Sequence, residues 1–136
     1  MKTFEDSLSM ILTDIVDLSL DYCHKSVDTI FIHCSNENNC ISSNVFFKKD
    51  GKKIKRSQIP EITSDNQKEL MHSINEKIKD FEILCANNNQ HIPTEIKIIY
   101  EVFSKRLKTD FSYEKKYSES SELVVQDIFD EWFESV

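Results

Sequence analysis

The sequence predicts an α+β fold: a single domain in the order α-β-β-β-α-β-β-α, with one antiparallel sheet and helices packed mainly on one face. Three observations predict it. Apolar residues recur at helical spacing near the N-terminus, in the middle and near the C-terminus; the runs between them alternate with period two; and Asp50-Gly51 stands between two β-prone segments. With 136 residues, 39% hydrophobic and 30% charged, the chain can bury a core without staples and is too apolar to be disordered, so residues 1–136 read as one domain.

From Thr3 to about Cys23, Phe4, Leu8, Ile11, Leu12, Ile15, Leu18 and Tyr22 share one helical stripe. Thr3 suits the cap, with Glu5 and Asp6 in the first turn where the helix dipole favours negative charge. Val27 to Cys34 is β-branched and aromatic, and Ser35-Asn-Glu-Asn-Asn39 reads as the turn that ends it. Ile41 to Lys49 and Lys52 to Ile59 flank Asp50-Gly51 and complete a three-stranded meander. Gly51 is the only glycine, so a left-handed turn position is expected there.

Pro60 closes the third strand, and Ser64-Asp-Asn-Gln67 resembles a capping box opening a helix to about Ala86. Its inward stripe would be Leu70 or Met71, Ile74, Ile78, Phe81 and Cys85. A hairpin follows from Pro93 to Glu114, in which Ile96, Ile98, Tyr100 and Val102 alternate with mostly polar residues before Lys105-Arg106 turns the chain. With helical patterns on both sides, this hairpin is expected to form the middle of the fold. A last helix runs from about Ser118 to Phe133, with Leu123 or Val124, Ile128 and Trp132 facing inward.

Net charge is −7 and the pI is near 5.1, which argues against nonspecific nucleic-acid binding and favours a basic partner. No apolar run approaches a membrane span, and the first residues lack a signal-peptide layout, so a cytoplasmic protein is expected. Cys23, Cys34, Cys40 and Cys85 are scattered and read as buried thiols, with Cys34 and Cys40 the pair closest to a common turn. His33-Cys34, Cys23-His24 and Cys40 lack the spacing of a zinc site, and neither a nucleophile motif nor a glycine-rich phosphate loop is present. No enzyme activity, metal or cofactor is expected.

Two charged features remain. Lys48, Lys49, Lys52, Lys53, Lys55 and Arg56 surround the Asp50-Gly51 turn; they read as a solvated edge, or as a phosphate-binding hairpin with Phe46 or Phe47 stacking on bases. The C-terminal segment carries Asp127, Asp130, Glu131 and Glu134 with no Lys or Arg after Lys116. Acids in a final turn oppose the helix dipole, so local stability does not explain them. Docking of a basic partner on Asp127, Asp130, Glu131 and Glu134, with Trp132 and Phe133 as aromatic anchors, is the functional expectation; the alternative is that Trp132 is core and the acids keep the protein soluble.

The order of elements, Asn44-Val-Phe-Phe47 before Lys49-Asp-Gly-Lys52, Ile59-Pro60 ahead of a long helix, and Pro93-Thr94 leading to Thr109-Asp-Phe-Ser-Tyr-Glu114 together resemble the YezG-type immunity proteins, small bacterial antitoxins. The resemblance covers about Phe4 to Glu114 and implies a cytoplasmic protein that binds a cognate toxin domain, commonly a nuclease, and blocks its active site or substrate surface. No catalytic residue carries over, and neither a membrane nor direct nucleic-acid contact is implied. A small nucleic-acid-binding or regulatory adaptor using the hairpin Lys48 to Arg56 is the alternative function.

Overall fold

Thr3 and Asp6 exchange hydrogen bonds at the start of the fold: Asp6 N donates to Thr3 Oγ1 at 3.1 Å, and Thr3 N to Asp6 Oδ2 at 3.4 Å. The structure, a computed structural model, describes residues 3–136. Helix α1 spans Phe4–Tyr22 and α2 spans Ser64–Asn87. The predicted stripe of α2 is buried, with Leu70, Ile74, Ile78, Phe81 and Cys85 facing the core. Its cap lies one residue earlier than the sequence suggested: Asn66 N donates to Thr63 Oγ1, and Thr63 N to Asn66 Oδ1, each at 3.1 Å.

Strands β1 (Thr29–Glu37), β2 (Cys40–Lys49), β3 (Lys52–Lys55), β4 (Glu95–Glu101) and β5 (Arg106–Ser112) form one antiparallel sheet in the order β3-β2-β1-β4-β5. The expectation that the Pro93–Glu114 hairpin forms the middle is corrected. That hairpin occupies one edge, and β1 is central, because β1 is the strand whose residues are buried almost without interruption on both faces.

β1 also runs past its predicted end at Cys34. Ser35, Asn36 and Glu37 are polar, yet each has a tertiary partner: Ser35 Oγ meets Tyr117 Oη at 2.8 Å, Asn36 Nδ2 donates to Glu82 Oε2 at 2.6 Å, and Glu37 accepts backbone N–H bonds from 116–118. The turn is therefore only Asn38-Asn39, both at positive φ (52° and 63°), a backbone that Asn tolerates. β3 is shorter than predicted: the chain enters a 3-10 turn at Arg56–Gln58, whose Gln58 Oε1 accepts from Lys55 N at 2.8 Å.

Asp50 (φ 52°) and Gly51 (φ 78°) make the turn expected between β2 and β3. A Cβ at Gly51 would meet nothing within 4 Å, so only the left-handed backbone opposes substitution. Gly51→Ala is expected to cost about 1 kcal/mol, read as a lower urea midpoint with an unchanged slope.

α1 and α2 cover the face carrying Ile30, Ile32, Cys34, Val45, Phe47, Ile96 and Ile98. Helix α3 spans Val125–Ser135 and lies on the opposite face, against Phe31 and Phe46. Two of the three helices thus share one face, and the third makes a second layer. α3 also starts later than Ser118, and its inward residues are Phe129 and Trp132, while Leu123 and Val124 are exposed. The aromatic seat that Phe31 and Phe46 form on the sheet fixes that register. Among the described residues no helix is long and apolar enough to cross a membrane.

Candidate functional site

The second face of the sheet carries Phe31, Phe46, His33 and Glu95, and α3 is built onto it. Phe31 of β1 and Phe46 of β2 are cross-strand partners whose rings stack at 4.4 Å with 3° between planes. Three α3 rings meet Phe46 edge-on: Phe133 at 5.0 Å, Trp132 at 5.2 Å and Phe129 at 5.6 Å. Trp132 also meets Phe31 edge-on at 5.9 Å. Edge-to-face contact matches positive ring edges to a negative face and fixes the helix in rotation.

The basic residues of the sheet hold the same helix. Lys53 Nζ donates to Phe133 O at 2.8 Å and lies 4.9 Å from the centre of the Phe133 ring; Lys55 Nζ lies 5.4 Å from it; Lys97 Nζ lies 5.4 Å from the Trp132 ring. Lys53 supplies the positive charge that the C-terminal turn of α3 lacks in its own sequence. The predicted basic cluster is therefore partly an internal clamp. Phe46 and Phe47 are both fully buried, so neither ring is open to the base stacking that the alternative reading of this hairpin required.

Beneath the helix, His33 Nε2 and Glu95 Oε2 lie 2.9 Å apart, with both residues buried. Burial alone would raise the Glu95 pKa, but the His33 hydrogen bond and the charges of His33, Lys97 and Lys116 outweigh it and hold the carboxyl below its ordinary range. Glu37 follows the same logic: burial opposes its charge, and hydrogen bonds from Ser118 Oγ and the backbone of 116–118 lower its pKa overall. Its carboxylate thereby ties the segment before α3 to β1.

The predicted partner-binding residues divide. Asp127, Asp130, Glu131 and Glu134 are exposed, and among the described residues none of them forms an ion pair. Asp127 Oδ2 accepts from Val124 N at 2.9 Å and caps the helix, and Asp130 Oδ1 accepts from Gln126 Nε2 at 2.9 Å. Trp132 is instead 8% exposed and Phe133 half-buried under Lys53 and Lys55. Both rings are spent on the sheet, which corrects their reading as anchors for a partner.

Cys23, Cys34 and Cys85 are buried free thiols, Cys34 pushed up to about 12 by burial, whereas Cys40 is exposed at the β1–β2 turn, not buried as expected. Among the described residues no group of three His, Cys, Asp or Glu could hold a metal ion. Sequence reasoning missed the His33–Glu95 pair, since Glu95 follows Pro93-Thr94 and looked like a polar strand start. It also missed Phe129, because the four-residue spacing of Val124, Ile128 and Trp132 passes one position to its side.

The fold and this face define an α+β domain that presents an acidic helix pinned by aromatic and basic contacts. No family model matches the chain, and no curated protein matches it.

Proposed function

We propose that the protein is an immunity protein, an inhibitor that binds a cognate bacterial toxin domain of the basic, nuclease class and covers its active site or substrate surface. One observation carries the reading: Asp127, Asp130, Glu131 and Glu134 stand exposed, with no ion pair among the described residues, on a helix packed against the sheet. Preorganised acids in that arrangement mimic phosphates, and complementary charge speeds encounter more than it deepens affinity. The resemblance to YezG-type proteins supports the same class.

The test is rescue of a sensitive cell expressing the neighbouring toxin domain, followed by co-purification and association kinetics. Asp130→Lys with Glu134→Lys is expected to slow association about tenfold, with a shallower salt dependence, while the free protein keeps its cooperative unfolding transition. Unchanged association would place the docking surface elsewhere on the molecule. Absence of both rescue and complex would sink the immunity reading for that toxin.

A further inference from the structure

Between the start of α3 and the sheet lie two adjoining recesses of about 200 and 230 Å³. Both are lined by Asn44, Arg56, Gln126 and Phe129, and the first also by His33 and Ser42. The two linings together hold a guanidinium, the Lys55 ammonium, three amides, three hydroxyls and an imidazole, with no carboxylate. Arg56 Nη1 donates to Asn44 Oδ1, which also accepts from Val45 N. Arg56 Nε is buried and has no hydrogen-bond partner. Among the described residues Arg56 forms no ion pair, although the chain carries 24 acids against 17 bases.

A buried N–H without an acceptor is costly, and a half-buried cation without a counter-ion more so. Neither cost is relieved by a protein group here. With Nη1 occupied by Asn44, the free edge of the guanidinium is the Nε–Nη2 edge, which matches two oxygens of one oxyanion side-on. Gln126 and Ser42 add neutral donors to the walls. The backbone holds the site in place, because Tyr22 Oη donates to Arg56 O at 2.8 Å.

We infer that this cleft binds a small organic or inorganic oxyanion, a carboxylate or phosphate group, with the Arg56 guanidinium turning its Nε–Nη2 edge toward the guest. The protein's net charge of −7 works against anions at long range, so binding depends on this fork and on screening by salt. The site lies on the sheet side of α3 and meets the acidic outward face at Gln126, whose Nε2 donates to Asp130 Oδ1.

The experiment uses the full chain labelled with nitrogen-15, titrated separately with inorganic phosphate and with succinate. The expected result is a saturable shift of the Arg56 Nε–H resonance and of the Asn44 and Gln126 amides, with half-saturation at about 1 mM. The anion that saturates first names the source of the oxyanion. Arg56→Lys keeps the charge but loses the fork, and should weaken binding about tenfold or more. Gln126→Glu places a carboxylate at the cleft and gives up the hydrogen bond to Asp130; it should abolish the shift, with an otherwise parent-like amide spectrum showing that the fold is kept. If Arg56→Lys fails to fold, Gln126→Glu alone decides. The proposal is overturned if neither anion gives a saturable shift below about 10 mM, or if Gln126→Glu binds as the parent does.

Discussion

Phe46→Ala should lower stability by about 3–5 kcal/mol and free α3 before the rest of the domain unfolds. Phe46 is fully buried and meets four rings, Phe31, Phe129, Trp132 and Phe133, so its removal leaves a cavity at the centre of the second layer. Losing the transfer energy of one buried aromatic accounts for about 2–3 kcal/mol, and the lost ring pairs and unfilled space supply the remainder. The other side of the sheet has its own core of α1 and α2 residues, which this change does not touch. Hydrogen exchange should therefore show early loss of protection over Val125–Ser135 while β1 and α2 stay protected. Urea denaturation gives the magnitude. A cost below about 1 kcal/mol, or uniform loss of protection, would contradict an α3 held chiefly by this cluster.

The same asymmetry explains which parts of the fold could be read from the sequence. Period and turn chemistry act locally, so the stripes of α1 and α2 and the Asp50-Gly51 hairpin were legible from the residues themselves. Sheet order was not, because it depends on which strand is covered twice. β1 reads as apolar up to Cys34, but its extension through Ser35, Asn36 and Glu37 relies on Tyr117, Glu82 and the 116–118 backbone, partners from distant parts of the sequence. The helix α3 shows the limit most clearly. Its acids were visible as a charge imbalance, but their explanation in part lies on β3, where Lys53 reaches the Phe133 carbonyl. Trp132 could be an anchor or a core residue by composition alone; the stacked Phe31–Phe46 pair, set by strand register, decides for the core. Arg56 was legible only as one of six bases around the Asp50-Gly51 turn, since the lack of an ion pair is a property of its surroundings and not of its neighbours in sequence.

Glu95→Leu should cost about 3–5 kcal/mol near neutral pH, because it leaves His33 buried under Phe129 and Trp132 with no acceptor. Glu95→Gln keeps the shape and a hydrogen-bond acceptor, so its cost should be smaller, about 1–3 kcal/mol. The two substitutions also separate charge from packing through pH. The folded-state pKa of Glu95 lies below its unfolded value, since the His33 bond and the nearby positive charges overcome the effect of burial. A carboxyl of that kind contributes stability fully above its unfolded pKa of about 4.3, and loses it as pH falls through the folded value. Glu37 is lowered too, and contributes in the same window. The parent protein should therefore lose stability as pH falls below about 4.3, and Glu95→Gln should flatten that limb without removing it. Adding Glu37→Gln should flatten it further, because the two carboxylates hold different segments, Glu95 the imidazole beneath α3 and Glu37 the 116–118 backbone that leads into it. Urea midpoints across that pH range measure both effects. A Glu95→Gln profile parallel to the parent would mean that the Glu95 carboxyl titrates alike in the folded and unfolded chains, and that the His33 contact contributes through packing alone.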